Sequence, residues 1–202
     1  MRQVTGSKLV ASVETLDALA RLLKVRRNTL NLRRLFDAGE SGWNNVSAFH
    51  SACNNQGPTI VLIRSSDGKF YGGYTSVSWT TSGNYRPDAQ AFLFRLYSEA
   101  DPGRYCGHVR TEKFQVSPSE QLHAQFSPSS HGPTFGGGHD LITFTSSGIS
   151  LRTDPHSYPT SGPLIDSSVS KTESNFQLEV LQVTTDYDGA GELELPWLQD
   201  VH

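Results

Sequence analysis

Apolar residues recur at helical spacing in one early stretch and at strand spacing over most of the chain that follows. In "SVETLDALARLLK" (residues 12–24), Leu16, Leu19, Leu22 and Leu23 share one face, which predicts a helix. Ser12 is placed to cap it. Glu14 and Asp17 stand early in the segment and Lys24 and Arg26 late, as the helix dipole favours. In "NTLNLRRLFDAG", Leu30 and Leu32 alternate with polar residues, a strand leading to a turn. "NNVSAFHSAC" puts Val46, Phe49 and Cys53 on one side of a short second helix, and the glycine and proline of "NNQGP" end it.

From there the period changes to two. "TIVLIRS" and "KFYGGYTSV" flank "SDG", where Asp67-Gly68 supplies the positive φ angles of a tight hairpin turn. "AFLFRLYS", "YCGHVRTEKFQV", "HDLITFTS", "GISLRT" and "NFQLEVLQVTT" read as further strands. The core sheet is expected from residues 58–65, 69–77, 91–97, 139–145 and 176–184. "SPSEQLHAQFSPSSHGPTFGGG" reads mostly as loop, and the Ser-, Pro- and Thr-rich stretch 154–174 as an exposed, mobile one. Connections between strands are short and carry no crossover helices, so pairing is expected to be antiparallel. The expected class is α+β: a sandwich of two antiparallel β-sheets flanked by two helices.

Length and charge narrow the function. The 202 residues suit one domain with a short arm. Net charge is −3, so the basic cluster "RLLKVRRNTLNLRR" makes no electrostatic case for binding nucleic acid. No apolar run approaches the roughly 20 residues of a membrane span, and the first residues hold no secretory h-region. Direct membrane insertion is therefore not expected. Two cysteines, Cys53 and Cys106, do not make a disulfide framework and point to a reducing, cytoplasmic location.

The segment Phe135-Gly136-Gly137-Gly138-His139-Asp140 holds the densest candidate chemistry. A phosphate loop would need a lysine after the glycines and a helix to follow; here a histidine, an aspartate and a strand follow. On a strand, His139 and Asp140 would point to opposite faces, which disfavours a catalytic pair. The glycines read better as a tight bend or a close backbone approach, with Asp140 accepting backbone N–H bonds.

A second candidate is a zinc or thiol site. "FHSAC" sets His50 and Cys53 one helical turn apart, and "YCGHV" sets Cys106 and His108 on one strand face. The plainer reading makes Cys53 a small core residue and His50 a half-buried helix residue. No G-x-S-x-G occurs, and Cys53 lacks an evident activating neighbour. Trp43 reads as a core residue, while Trp79 reads equally as a partner anchor or as the plug of a sandwich end.

Taken in order, "GWNNVSAFHSACNNQGPTIVLIRS", "FYGGYTSVSW", "DAQAFLFRL", "PTFGGGHDLITF" and "NFQLEVLQV" resemble the TLDc domain family over roughly residues 30–185. The resemblance makes Gly72, Gly73, Tyr74, Trp79, Phe135, Gly136, Gly137, Gly138, His139 and Asp140 signature residues with a structural role. It implies a two-sheet sandwich, no cofactor, no metal and no catalytic residues. It further implies a non-catalytic protein-interaction module linked to oxidation resistance and stress response. The implied partner is the vacuolar proton-pumping ATPase (V-ATPase), through regulation of its assembly. The alternative drawn from the residues is a redox-active or zinc-dependent enzyme using Cys53, Cys106 and nearby histidines.

On this reading residues 1–29 are a helical extension, 30–185 the TLDc domain and 186–202 a tail or the start of a linker. The tail "GELELPWLQDVH" resembles the linker of interferon-induced 44-type proteins, which implies a further alternative, the N-terminal module of a GTPase-containing innate-immune protein. The chain departs from the family at "RTDPHSYPTSG", where members carry an asparagine-rich stretch.

Overall fold

In chain order the computed structural model gives β1 (Val4–Thr5), α1 (Val13–Leu23), β2 (Leu30–Asp37), α2 (Ala38–Ser41), α3 (Val46–Cys53), β3 (Thr59–Ser65) and β4 (Phe70–Thr75). There follow β5 (Tyr85–Arg86), β6 (Phe92–Ser98), β7 (Val109–Gln115), β8 (Gln125–Phe126), β9 (Thr134–Phe135), β10 (Leu141–Thr145), β11 (Gly148–Arg152) and β12 (Phe176–Thr185). It describes residues 3–98, 109–152, 156–160, 162–165 and 171–186.

The helix read at residues 12–24 is α1. The Ser12 side chain accepts the Thr15 N–H at 3.2 Å, and Lys24 closes the helix with a left-handed φ of +57°. Asn45 caps α3 by accepting the Ala48 N–H at 3.0 Å.

Seven strands form one sheet in the order β1-β2-β12-β3-β4-β6-β7, and five form a second in the order β11-β10-β9-β8-β5. Among the described strands only β1 runs parallel to its neighbour, β2. The middle of the large sheet is buried on both faces, which is why "IVLI" of β3 is apolar without a break. Ile60 and Leu62 face α1, together with Phe92, Phe94, Leu181 and Val183. Val61 and Ile63 face the other way, into a core shared with α3 and the second sheet. The α+β sandwich thus has a third layer, α1, over the outside of the large sheet.

The segment ahead of β2 is fastened to this frame by one buried carboxylate. Glu179, on β12, accepts the Ser7 hydroxyl at 2.5 Å and the N–H groups of Lys8 and Leu9 at 2.8 and 3.5 Å. Arg34 approaches the same carboxylate at 3.7 Å.

Two expectations need correcting. Residues 139–145 do not join the sheet that holds 58–65. Their strand starts at Leu141 and pairs with β9 and β11 in the second sheet. His139 has a left-handed φ of +58°, a conformation that does not continue a strand. The stretch 154–174 is not wholly an exposed loop. Ser157, Tyr158, Leu164 and Ile165 are buried and close the core between the sheets. Residues 154–155, 161 and 166–170 of this stretch, Cys106 and His108, and the tail 187–202 lie outside the described residues.

Candidate functional site

The two glycine motifs of the sequence meet in the core. On β4, a β-carbon at Gly73 would lie 2.7 Å from the Phe135 ring, and one at Gly72 would lie 1.9 Å from the Val61 carbonyl oxygen and 2.8 Å from the Phe94 ring on the opposite face. Glycine at both positions lets an aromatic ring rest on each side of the strand. Phe135 then meets Trp79 edge-on at 5.5 Å, and Trp79 meets Phe49 at the same distance. The Trp79 indole N–H donates to Thr59 Oγ1 at 2.9 Å. Trp79 has no exposed surface, so of its two readings it is the core residue. Trp43 is buried and sits edge-on to Phe144 at 6.2 Å. Tyr74 stacks on Phe92 at 5.1 Å; burial, then the Asp88 carboxylate, push its hydroxyl up to about 12.

The bend itself is built around Asp140. Its Oδ2 accepts three successive backbone N–H groups, from His156, Ser157 and Tyr158, at 2.6, 2.7 and 2.9 Å. Gly136 has φ +86°, and a β-carbon there would fall 1.7 Å from Asp140 Oδ1. The Gly137 N–H donates to Ser157 Oγ at 2.8 Å, while its carbonyl accepts the Tyr85 hydroxyl at 2.9 Å. A β-carbon at Gly138 would lie 2.7 Å from His156 Cβ. The Tyr158 hydroxyl donates to the Ala124 carbonyl at 2.6 Å. Asp140 therefore draws the 156–158 segment down onto the glycines, and the glycines leave room for it.

Only the outer side of this bend meets solvent. His139 stacks on Phe126 at 4.9 Å, Phe126 packs on Tyr85 at 4.7 Å, and Tyr85 meets His123 edge-on at 5.1 Å. At the other end His131 approaches His139 at 6.0 Å. Five rings thus form a continuous strip along the second sheet. Glu120 lies beside it, with Oε2 at 3.3 Å from His123 Nδ1 and 3.9 Å from His156 Nδ1. Burial, then the like charge of His139, hold His131 below the ordinary imidazole range.

The TLDc domain model matches residues 4–183. The chain belongs to the TLDc domain family. The match begins within β1, ahead of the stretch that carries the motifs. Shorter stretches are similar to proteins named "MTOR-associated protein MEAK7". The one from Danio rerio is 33% identical over 46 residues, 23% of this chain and 10% of the relative. The one from Xenopus laevis is 31% identical over 64 residues, 30% of this chain and 14% of the relative. The one from Gallus gallus is 32% identical over 54 residues, 27% of this chain and 12% of the relative. Each aligned stretch is thus a small part of the relative's length.

Within this TLDc domain the second candidate site takes a definite form. Cys53 has no exposed surface, and burial pushes its thiol far up, away from the reactive thiolate. His50 is buried, its Nε2 at 3.1 Å from the Pro128 carbonyl and 3.2 Å from that of His131. It ties α3 to the loop ahead of β9. Among the described residues no three His, Cys, Asp or Glu side chains converge as a metal set would. Among them, too, no helix is long and apolar enough to cross a membrane.

Sequence reading placed Glu179 in the closing "EV" motif without a role, and overlooked Glu120, Tyr85 and Phe126. The clue to the strip was the crowding of four of the chain's seven histidines, His123, His131, His139 and His156, into one region. Glu179 had no such clue, because its partners lie about 170 residues away in sequence.

Proposed function

We propose that this TLDc chain is a cytoplasmic protein-interaction module with no catalytic activity of its own, acting in stress response and oxidation resistance through the V-ATPase. The observation that carries the reading is the use made of the signature. Phe135, Trp79 and the glycines fill the core, and one oxygen of Asp140 is engaged by three backbone N–H groups. Groups so engaged are poorly placed to meet a substrate. The buried Cys53 thiol, kept protonated, weighs against a thiol enzyme at that position.

A second protein partner is suggested by the name of the relatives. MTOR association is a property of those proteins, and its transfer to this chain rests on short aligned stretches. One experiment covers both partners. The purified chain is immobilised and offered V-ATPase subunits in assembled and disassembled states, and separately an MTOR-containing complex. The module reading expects saturable capture of the ATPase subunits in one state. Absence of capture in both states removes the ATPase, and MTOR capture alone transfers the role to the second partner. Stoichiometric zinc or steady peroxide consumption by the same preparation would replace the module with the enzyme.

A further inference from the structure

We infer that a pocket between the C-terminal end of α1 and the large sheet, lined by Lys24, Tyr74, Phe92 and Lys113, binds the phosphate monoester group of a small ligand or a lipid headgroup. The site is independent of the protein partners proposed above.

The register builds the pocket. Tyr74 on β4 is paired with Phe92 on β6, and Phe92 with Gln115 on β7. Lys113 stands two residues before Gln115, so it shares the face that α1 covers. An open pocket of about 230 Å³ lies between these side chains and Lys24. The Tyr74 and Phe92 rings, stacked at 5.1 Å, give it an apolar part, and the Lys113 ammonium sits 4.0 Å from the centre of the Phe92 ring. Gln115 Nε2 braces the lining by donating to the Ala89 and Ala91 carbonyls at 2.9 and 3.0 Å. The carbonyls at this helix end, which would repel an anion, are already capped. Ala20 accepts the Val25 N–H at 3.0 Å, Arg21 the Lys24 N–H at 3.2 Å and Leu22 the Lys113 ammonium at 3.0 Å.

The charges around the pocket select an anion. In the basic run of the sequence Arg21 donates to the Val109 carbonyl at 3.0 Å, Arg27 faces Asp17 at 3.3 Å and Arg34 faces Asp37 at 2.8 Å. Lys24 is placed differently: it lines the pocket with Lys113, and among the described residues no carboxylate pairs with either. Burial, then the like charge of Lys24, hold the Lys113 ammonium below its ordinary value. Like charges brought together without a counter-ion point to a ligand that supplies one. The carboxylates close by are turned elsewhere. Glu112, next to Lys113 in sequence, points to the other face of β7 and meets Arg95 at 3.2 Å. Asp88 is buried and accepts from Thr75, from both donors of Ser76 and from the Gln90 N–H. Tyr74, pushed up to about 12, keeps its proton and serves as a donor. A phosphate monoester carries roughly two negative charges near neutral pH and so matches two ammonium groups, where a carboxylate matches one. The whole chain has a net charge of −3, so the attraction is local to this pocket.

The test titrates the full chain with phenyl phosphate at about pH 7.5, where the ester is mostly dianionic, and with benzoate at the same ionic strength. Backbone amide NMR shifts give the site and the dissociation constant. Phenyl phosphate should move the amides of Leu23, Lys24 and Lys113 saturably, and benzoate should bind about tenfold more weakly, as the loss of one charge-assisted contact requires. Lys24→Asn and Lys113→Gln should each weaken phenyl phosphate binding by about tenfold. Asparagine tolerates the left-handed backbone at 24, and glutamine keeps a donor for the Leu22 carbonyl. Tyr74→Phe keeps the ring stack and should weaken binding about threefold with melting unchanged. Phosphatidylcholine vesicles carrying phosphatidic acid then separate the two sources. Capture that Lys24→Asn abolishes assigns the ester to a lipid headgroup, and no such capture assigns it to a soluble ligand; phenyl phosphate binding is required in both cases. Absence of saturable shifts at these amides, benzoate binding as tight as that of phenyl phosphate, or folded Lys24→Asn and Lys113→Gln variants that bind like the parent overturns the inference.

Discussion

Gly136 and Asp140 occupy each other's side-chain space: a β-carbon at 136 would fall 1.7 Å from Asp140 Oδ1. The backbone at 136, with φ +86°, is also one that L side chains rarely adopt. Gly136→Ala therefore meets two penalties, and the carboxylate can yield only by leaving the 156–158 N–H groups. The expected loss is more than about 2 kcal/mol, read by urea denaturation.

Asp140→Ala removes the acceptor of three N–H groups, two of them on the buried residues Ser157 and Tyr158. Buried donors left without a partner, previously bonded to a charge, should cost about 3 kcal/mol or more. Amide exchange at 156–158 should accelerate more than exchange in β3. Equal acceleration at both places would mean that Asp140 supports the whole fold and not this clasp.

Glu179→Gln tests the fastening of the N-terminal segment. The amide replaces a carboxylate that accepts from Ser7, Lys8 and Leu9 and attracts Arg34. A fall of about 1–3 kcal/mol is expected, because an amide oxygen accepts these groups less strongly than a buried carboxylate; Arg34 keeps Asp37 at 2.8 Å and Glu40 at 3.1 Å. Proteolysis should begin ahead of α1. A variant as stable as the parent would show that packing of α1 alone secures this segment.

Cys53 should resist alkylation in the folded chain near pH 8 and react on unfolding, followed by mass spectrometry of the peptide that contains it. Burial raises its pKa in the fold, so the unfolded chain releases the proton first. The stability given by the neutral thiol is complete below the unfolded value and is lost as pH rises through it toward the folded one. Rapid labelling at Cys53 under native conditions would reopen the thiol-enzyme reading.

What the sequence made legible follows from how each element is stabilised. The helix at 13–23 and the hairpin at 59–75 carry their causes locally: a Ser12 cap, a leucine face and an Asp-Gly turn. The strands β5, β8 and β9 have two residues each and no period to detect. They are strands because the polar loops that hold them lie side by side, with Tyr85 opposite Phe126 and Phe126 opposite Thr134. The role of Asp140 as an acceptor could be read from "GGGHD", but its donors, sixteen to eighteen residues onward in a Ser- and Pro-rich stretch, could not. Trp79 stayed ambiguous for a similar reason. Its small polar neighbours in sequence suggest a surface, whereas its neighbours in space are Phe49, Phe135 and Thr59.

The most direct measurement of a binding rather than a turnover role is made on Gly137→Val, with melting and peroxide consumption recorded on one preparation. A β-carbon at 137 would lie 3.1 Å from His123 Cβ and 3.4 Å from Ser157 Oγ, and valine adds two more carbons beyond it. The expected result is a melting temperature lower by roughly 5 °C or more, or insoluble protein, with no peroxide consumption by the parent or the variant. A variant that melts with the parent but has lost a turnover the parent possessed would contradict the account and make "FGGGHD" an active site.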